Sequence, residues 1–406
     1  MENKKFKAYI ENVEETEDSY DLILDGIEAK KFDELNAENI QEKINDIEKQ
    51  IFVLSLSKDI FRKLNRLEES SWISFITTNN TKDDSYPADL YKDVIFDDSV
   101  VRVNISDIKP INLDDGKAKI FSMNIFKQSN LNEIEGLIKA KIPKYIENVL
   151  VYNVGQGNCN AITNYHCKPY IFYDFGGGAY QNTKTYPGNV LNQNEIEFDF
   201  SETPLIILSH WDWDHMVSIL KSEHSDIKKS SWIVPKQQIG ISHLKVAIEL
   251  YNNNKLLVWP DNLPEIRISQ LNIQKINGTD KNNSGLVLTV YLNNDLSQAV
   301  LLPADANYDL ITMNSFAYYG LVATHHGASS HNCLLNMPKT FSHFNKIAFS
   351  FGKNNTYNHP KRESLYEHAL NGWSNTFYTI NGHISFGYYS YYHRHFPYIR
   401  RMGRIQ

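Results

Sequence analysis

Between residues 210 and 215 the chain reads His210-Trp211-Asp212-Trp213-Asp214-His215, two imidazoles and two carboxylates in six positions. These are the side chains that bind divalent cations without thiols, and a tight loop can aim alternate residues at neighbouring ions. His210, Asp212, Asp214 and His215 are therefore the first candidate ligands. A helix N-terminus capped by the two aspartates would use the same carboxylates, but a cap has no need of two histidines. Asp305 follows the apolar run Ala299–Leu302. It would be an isolated carboxylate at a buried edge unless paired or coordinated, which suits a ligand bridging two ions; a turn in Pro303-Ala304-Asp305-Ala306-Asn307 would use it without metal. His325-His326 places adjacent imidazoles after another apolar run. One of the two is expected to bind metal and the other to face substrate, and the residues alone leave open which. Asp174, in Tyr173-Asp174-Phe175-Gly176, can orient ligating imidazoles as outer carboxylates do, or simply form a turn.

Such residues need a scaffold, and the texture of the chain changes near residue 146. Up to about 145 it mixes strand-like stretches (Phe6–Val13, Tyr20–Leu24, Ile51–Leu56, Trp72–Thr77, Val100–Ile105) with helix-like ones at Asn36–Lys49 and Asp59–Glu69. That pattern predicts a small α+β accessory region over 1–145. Over 146–406, short and nearly continuous apolar runs end in Gly, Asp or His. Continuous rather than alternating hydrophobicity predicts strands covered on both faces, hence sheets between helices, with helices at Met216–Ser222 and His243–Asn252.

Bulk composition narrows the function classes. With 406 residues, 42% hydrophobic and 22% charged, and no apolar run near the roughly 18 residues that cross a bilayer, a soluble cytoplasmic protein without a secretory signal or membrane partner is expected. Cys159, Cys167 and Cys333 give neither a disulfide framework nor a zinc knuckle, so any metal must be held by His and carboxylates. The net charge of −7 is concentrated in residues 1–50, which carry 7 Lys against 15 Asp and Glu. A general basic surface for nucleic acid is thereby excluded, and the acidic front is a possible docking element for a protein partner. The tail His393–Arg404, preceded by Tyr388, Tyr389, Tyr391 and Tyr392, is cationic and aromatic, as a nucleic-acid path or a solvated face would be.

Six ordered motifs, Val154–Asn158 (VGQGN), Asp174–Gly178 (DFGGG), Ser209–His215 (SHWDWDH), Leu301–Asp305 (LLPAD), Thr324–Ser329 (THHGAS) and Gly352–Pro360 (GKNNTYNHP), resemble the soluble metallo-β-lactamase domain of ComEC-type DNA-uptake proteins. The phosphorylcholine esterase branch looks similar in the same motifs. The resemblance covers about 146–390 and implies an α/β fold, the αβ/βα four-layer sandwich, here preceded by the α+β region. It also implies a dinuclear centre and phosphoester hydrolysis. His210, Asp212, Asp214 and His215 match the ligands of the first metal motif, Asp305 the bridging aspartate, His325 and His326 the histidine pair, and His359 the closing histidine. Three departures stand out: Asn158 replaces an aspartate that would support the ligands, Pro303-Ala304 replaces Thr-Gly, and Asn358 replaces Gly. A separate mid-chain ligand histidine has no obvious counterpart, with His224 and His243 the only offers.

The expected chemistry follows. Two Zn2+ or Mn2+ ions roughly 3.5–4 Å apart, bridged by Asp305, would deprotonate a shared water and aim it at phosphorus. His326, His359 or Lys353 would hydrogen-bond the substrate oxygens, Asp214 is an alternative base, and Trp211 and Trp213 would stack on a base or cradle a cation, or equally pack under the metal loop. A nuclease or nucleotide phosphodiesterase is the leading expectation. The alternatives are a hydrolase of a lactone, peptide or phosphorylcholine ester, and a non-catalytic partner-binding module.

Overall fold

The computed structural model describes residues 3–64, 67–78, 85–96, 99–164, 166–187, 196, 198–221, 225–313, 317–329, 334–340 and 345–387. The chain divides into two units, Met1–Lys127 with Gln237–Asn253, and Gln128–Lys236 with Asn254–Gln406.

In the first unit, β1 (Lys4–Glu15), β2 (Ser19–Glu28), β3 (Gln50–Ser57), β4 (Trp72–Thr78), β5 (Ser85–Tyr91) and β6 (Val101–Ile111) close into an antiparallel barrel. Their order is β1-β2-β3-β5-β6-β4, with β4 returning to β1. Alternate residues point inward along a strand, so Phe6, Ala8, Ile10, Leu22, Leu24, Phe52, Leu54, Ile73, Phe75 and Ile105 fill one interior. Closure pairs every edge. The helix Ile241–Asn252 belongs to this unit, and the buried Asp25 caps it by accepting from Ser242 N (2.7 Å) and Ser242 Oγ (2.8 Å).

The second unit has two seven-stranded sheets. The first comprises β7 (Asn148–Val151), β8 (Cys159–Thr163), β9 (Pro169–Phe175), β10 (Leu205–Ile207), β11 (Trp232–Val234), β12 (Leu256–Val258) and β20 (Ile384–Ser385), in the order β12-β11-β10-β9-β8-β7-β20. The second runs in sequence order through β13 (Glu265–Ile268), β14 (Leu271–Lys275), β15 (Leu286–Tyr291), β16 (Ala299–Leu302), β17 (Gly320–Val322), β18 (Lys346–Phe349) and β19 (Thr376–Tyr378). Strands β9 to β12 are mutually parallel, as are β16 to β19. Val149, Val151, Ile171, Ile207 and Ile233 of one sheet share a single core with Ile273, Leu288, Val290, Val300 and Val322 of the other.

This architecture overturns the expected four-layer αβ/βα sandwich behind an α+β region: the protein is β-rich, a closed barrel and two further sheets. Two physical causes underlie the difference. The helix-like periodicity of 36–49 and 59–69 yields only Ile40–Lys43 with one tight turn at Ile44–Asp46, and Lys58–Lys63. Of the helix expected over 216–222, only Ser218–Lys221 forms among the described residues. The continuous apolar strands are covered largely by each other and by aromatic loops, such as Phe198 and Phe200 against Phe172 and Phe175. Among the described residues no helix is long and apolar enough to cross a membrane.

Candidate metal centre

Strand ends carry the chemistry: Asp174 in β9, the 209–215 loop after β10, Asp305 after β16, the histidine pair after β17 and Ser350 after β18. The loop is fixed through the Asp214 carbonyl, which accepts from Asn158 N and Gly177 N, both at 3.0 Å. A Cβ on Gly176 would lie 1.8 Å from that oxygen and one on Gly157 2.5 Å. These two glycines let the backbone approach, which gives the glycine-rich motifs their physical reason.

Three buried histidines then present one nitrogen each to the same space. His215 Nδ1 lies 2.8 Å from Asp174 Oδ2, so that nitrogen carries a proton and Nε2 is left to face the cluster. His326 Nδ1 lies 2.8 Å from the Ser350 carbonyl, with the same consequence. Ser209 Oγ donates to Asp174 Oδ2 at 2.9 Å and therefore accepts from His210 Nδ1 at 3.0 Å, leaving His210 Nε2 bare. The three Nε2 atoms surround two carboxylates. His215 Nε2 is 3.1 Å from Asp305 Oδ1 and 3.7 Å from Asp214 Oδ1, and His326 Nε2 is 3.0 Å from Asp214 Oδ2. His210 Nε2 is 3.9 Å from Asp305 Oδ2. None of these approaches has hydrogen-bond geometry: the three Nε2 atoms and Asp305 Oδ1 are sealed from solvent and unsatisfied. Ligands of a tetrahedral ion with ~2.0 Å bonds sit about 3.3 Å apart, so the donor set fits a divalent cation. Two groups of converging donors, His210 with His215 and Asp305, and Asp214 with His215 and His326, meet at His215.

The field of the site favours positive charge. Burial opposes it at His215, but the carboxylates of Asp305, Asp174 and Asp214 outweigh burial and hold the imidazole well above its ordinary range. Despite burial, His215, His325 and His326 keep Asp305 well below the carboxylate range. Burial and the charge of His215 push His210 the other way, well below, so it remains a neutral donor.

The backbone is strained where these pieces meet. Asp174, Ala304, His325 and His326 have φ of 61°, 53°, 48° and 55°, a left-handed conformation that costs roughly 1–2 kcal/mol per non-glycine residue and is concentrated at functional sites. Ala304 thus occupies a conformation natural to glycine.

The remaining candidates fall around this cluster. Asn158 donates through Nδ2 to Asp174 Oδ2 (3.1 Å). Asp212 stands outside both donor groups and pairs with Lys281 Nζ at 2.9 Å. His325 is on the open side, its side chain 31% exposed, with Nε2 3.6 Å from Asp305 Oδ2. His359 Nδ1 accepts from Gln156 Nε2 (3.3 Å), and burial together with His325 and His326 pushes its titration down to about 2. Lys353 is exposed on the neighbouring loop. Trp211 and Trp213 are buried, with Trp211 Nε1 donating to the Pro235 carbonyl. Neither indole offers a face to substrate, so both are packing residues rather than the stacking platform expected. His243 lies in the other unit, 3.1 Å from Glu11 Oε1. His224, Cys333, Tyr388 and the tail from His393 lie outside the described residues.

No family model matches this chain, and no curated protein matches it.

Residue types alone did not single out Ser209, Ser350, Gln156 or Lys281. Ser209 had a usable signal, standing directly before His210; the others reach the centre only through tertiary packing.

Proposed function

We propose that this protein is a divalent-metal-dependent phosphoester hydrolase acting on a nucleic acid or nucleotide phosphodiester. The observation that carries this reading is the convergence of three buried Nε2 atoms, none with a hydrogen-bond partner, on the carboxylates of Asp305 and Asp214. The ordered motifs, with their resemblance to the ComEC-type hydrolase domain, support the phosphoester in particular. His210, Asp214, His215, His326 and Asp305 would hold Zn2+ or Mn2+, which when bound acidifies water and polarises the phosphoryl oxygens. Asp174 and the Ser350 carbonyl fix the ligand tautomers. On the open side His359 is neutral and keeps its proton on Nε2, because Nδ1 accepts from Gln156; it is a hydrogen-bond donor for a substrate oxygen. His325 is placed to carry a proton to the departing oxygen.

The test is hydrolysis of bis-p-nitrophenyl phosphate, single-stranded and duplex DNA, RNA, cyclic dinucleotides, phosphorylcholine and lactones, with Zn2+ or Mn2+ supplied. Phosphodiester turnover that vanishes in Asp305→Ala is the expected result. Turnover confined to lactones, or none on any substrate by metal-loaded protein, would overturn the reading.

A further inference from the structure

Lys281 is an unusual neighbour for a cation site. Its side chain is only 2% exposed and its ammonium lies 2.9 Å from Asp212 Oδ2, whose side chain is 21% exposed. Asp212 sits between His210 and Asp214 in the loop, yet it belongs to neither group of converging donors. The Lys281 loop is tied down on two sides. Leu286 N donates to the Ser209 carbonyl (2.8 Å), and a Cβ on Gly285 would lie 2.3 Å from that same oxygen. Asn307 N, just beyond Asp305, donates to Asn283 Oδ1 (2.8 Å). The ammonium is therefore anchored between the two strand ends that supply His210 and Asp305, and its charge is felt at His210.

A second divalent ion in this part of the centre would draw on His210 and Asp212. It would have to bind beside a buried, fixed positive charge that already engages the carboxylate, and like charges in a site of low dielectric repel strongly. A buried ammonium needs one compensating anion, and Asp212 supplies it.

Resting on the metal-centre reading above, we propose that Lys281 is the built-in second cation of the site: its ammonium takes Asp212 beside His210, and the centre holds a single divalent ion at the donor group of Asp214, His215 and His326. Lys281 is thus a positioning residue that sets metal stoichiometry and lends the site a fixed positive charge.

Equilibrium dialysis of the purified full chain against Zn2+ or Mn2+, followed by elemental analysis, decides it. One ion per chain is expected. Two ions per chain would overturn the role of Lys281 while leaving the metal centre intact, and none would overturn both. Asp212→Asn should keep the single ion with unchanged affinity; losing it would make Asp212 a ligand and end the proposal. Lys281→Met, if folded by circular dichroism, should gain a second ion, and a folded variant that stays at one would refute exclusion by the ammonium. Should Lys281→Met fail to fold, the wild-type count and Asp212→Asn still decide.

Discussion

Asp174 Oδ2 and His215 Nδ1 stand 2.8 Å apart with both side chains sealed from solvent. The same carboxylate accepts from Ser209 N (2.7 Å), Ser209 Oγ (2.9 Å) and Asn158 Nδ2 (3.1 Å). One residue therefore fixes the His215 tautomer and, through Ser209, that of His210. Asp174→Asn keeps the shape but puts an NH2 where only donors point. Metal affinity is expected to fall by about 10–100-fold, the usual effect of losing such a partner, and stability by roughly 3 kcal/mol for breaking a buried charged network. Metal titration and a thermal melt check the two parts separately. A variant with wild-type affinity would show that Asp174 does not orient the ligands.

Gly176 gives a sharper steric prediction. An alanine Cβ there would sit 1.8 Å from the Asp214 carbonyl and 2.7 Å from that of Asn158, contacts that only backbone movement can relieve. Gly176→Ala should push the Asp214 loop away from Asp305 and abolish tight metal binding, since an error of about 1 Å in such a site is costly. The barrel of the first unit should stay folded. Proteolysis that leaves the 1–127 region protected, together with lost metal binding, is the expected outcome.

The candidate donors are easier to read in the sequence than the scaffold. His210, Asp214, His215 and Asp305 are short polar residues directly after apolar strands, so residue type and position coincide, and they do converge. Lys281 was invisible because its partner is Asp212, far away in sequence. Continuous apolar runs such as Leu286–Tyr291 read as strands beneath helices, yet here one side (Leu286, Leu288, Val290) packs on the facing sheet and the other (Val287) joins a second cluster with Tyr308 and Trp373. In the barrel, the strand-like stretches Phe6–Val13, Tyr20–Leu24, Ile51–Leu56, Trp72–Thr77 and Val100–Ile105 coincide with β1, β2, β3, β4 and β6, whereas β5, with a proline and one buried residue, carries no such pattern.

His383 makes the second unit sensitive to acid. Its Nδ1 accepts from Asn153 N at 2.9 Å, which requires the neutral ring, and burial lowers its titration from 6.5 to about 4. A depressed imidazole value means the folded state prefers the neutral form. The stabilisation is present above pH 6.5 and is lost as the pH falls to about 4, a change of roughly 3 kcal/mol. His383→Asn retains an acceptor that cannot be protonated. Urea unfolding across this window should show a shallower loss of stability for the variant, and identical slopes would exclude His383 as the acid-sensitive group.

Asp25 acts with the opposite sign in the first unit. Burial, then the Glu11 carboxylate, raises its titration from 3.8 to about 7, even though Ser242 donates to it twice. A raised carboxyl value means the folded state prefers the neutral acid. Its contribution is whole below pH 3.8 and is lost as the pH climbs through about 7, amounting to about 4 kcal/mol. Asp25→Asn is neutral at every pH; its Oδ1 can accept from Ser242 N while its Nδ2 donates to Ser242 Oγ. The variant should gain on the wild type as the pH is raised from about 4 to 8. The two titrations span the same pH range with opposite sign: His383 weakens one unit as the pH falls, and Asp25 weakens the other as the pH rises to about 7. A variant that is less stable than wild type by a constant amount across that range would mean Asp25 is held ionised, with His243, 3.1 Å from Glu11 Oε1, as the group to supply the countercharge.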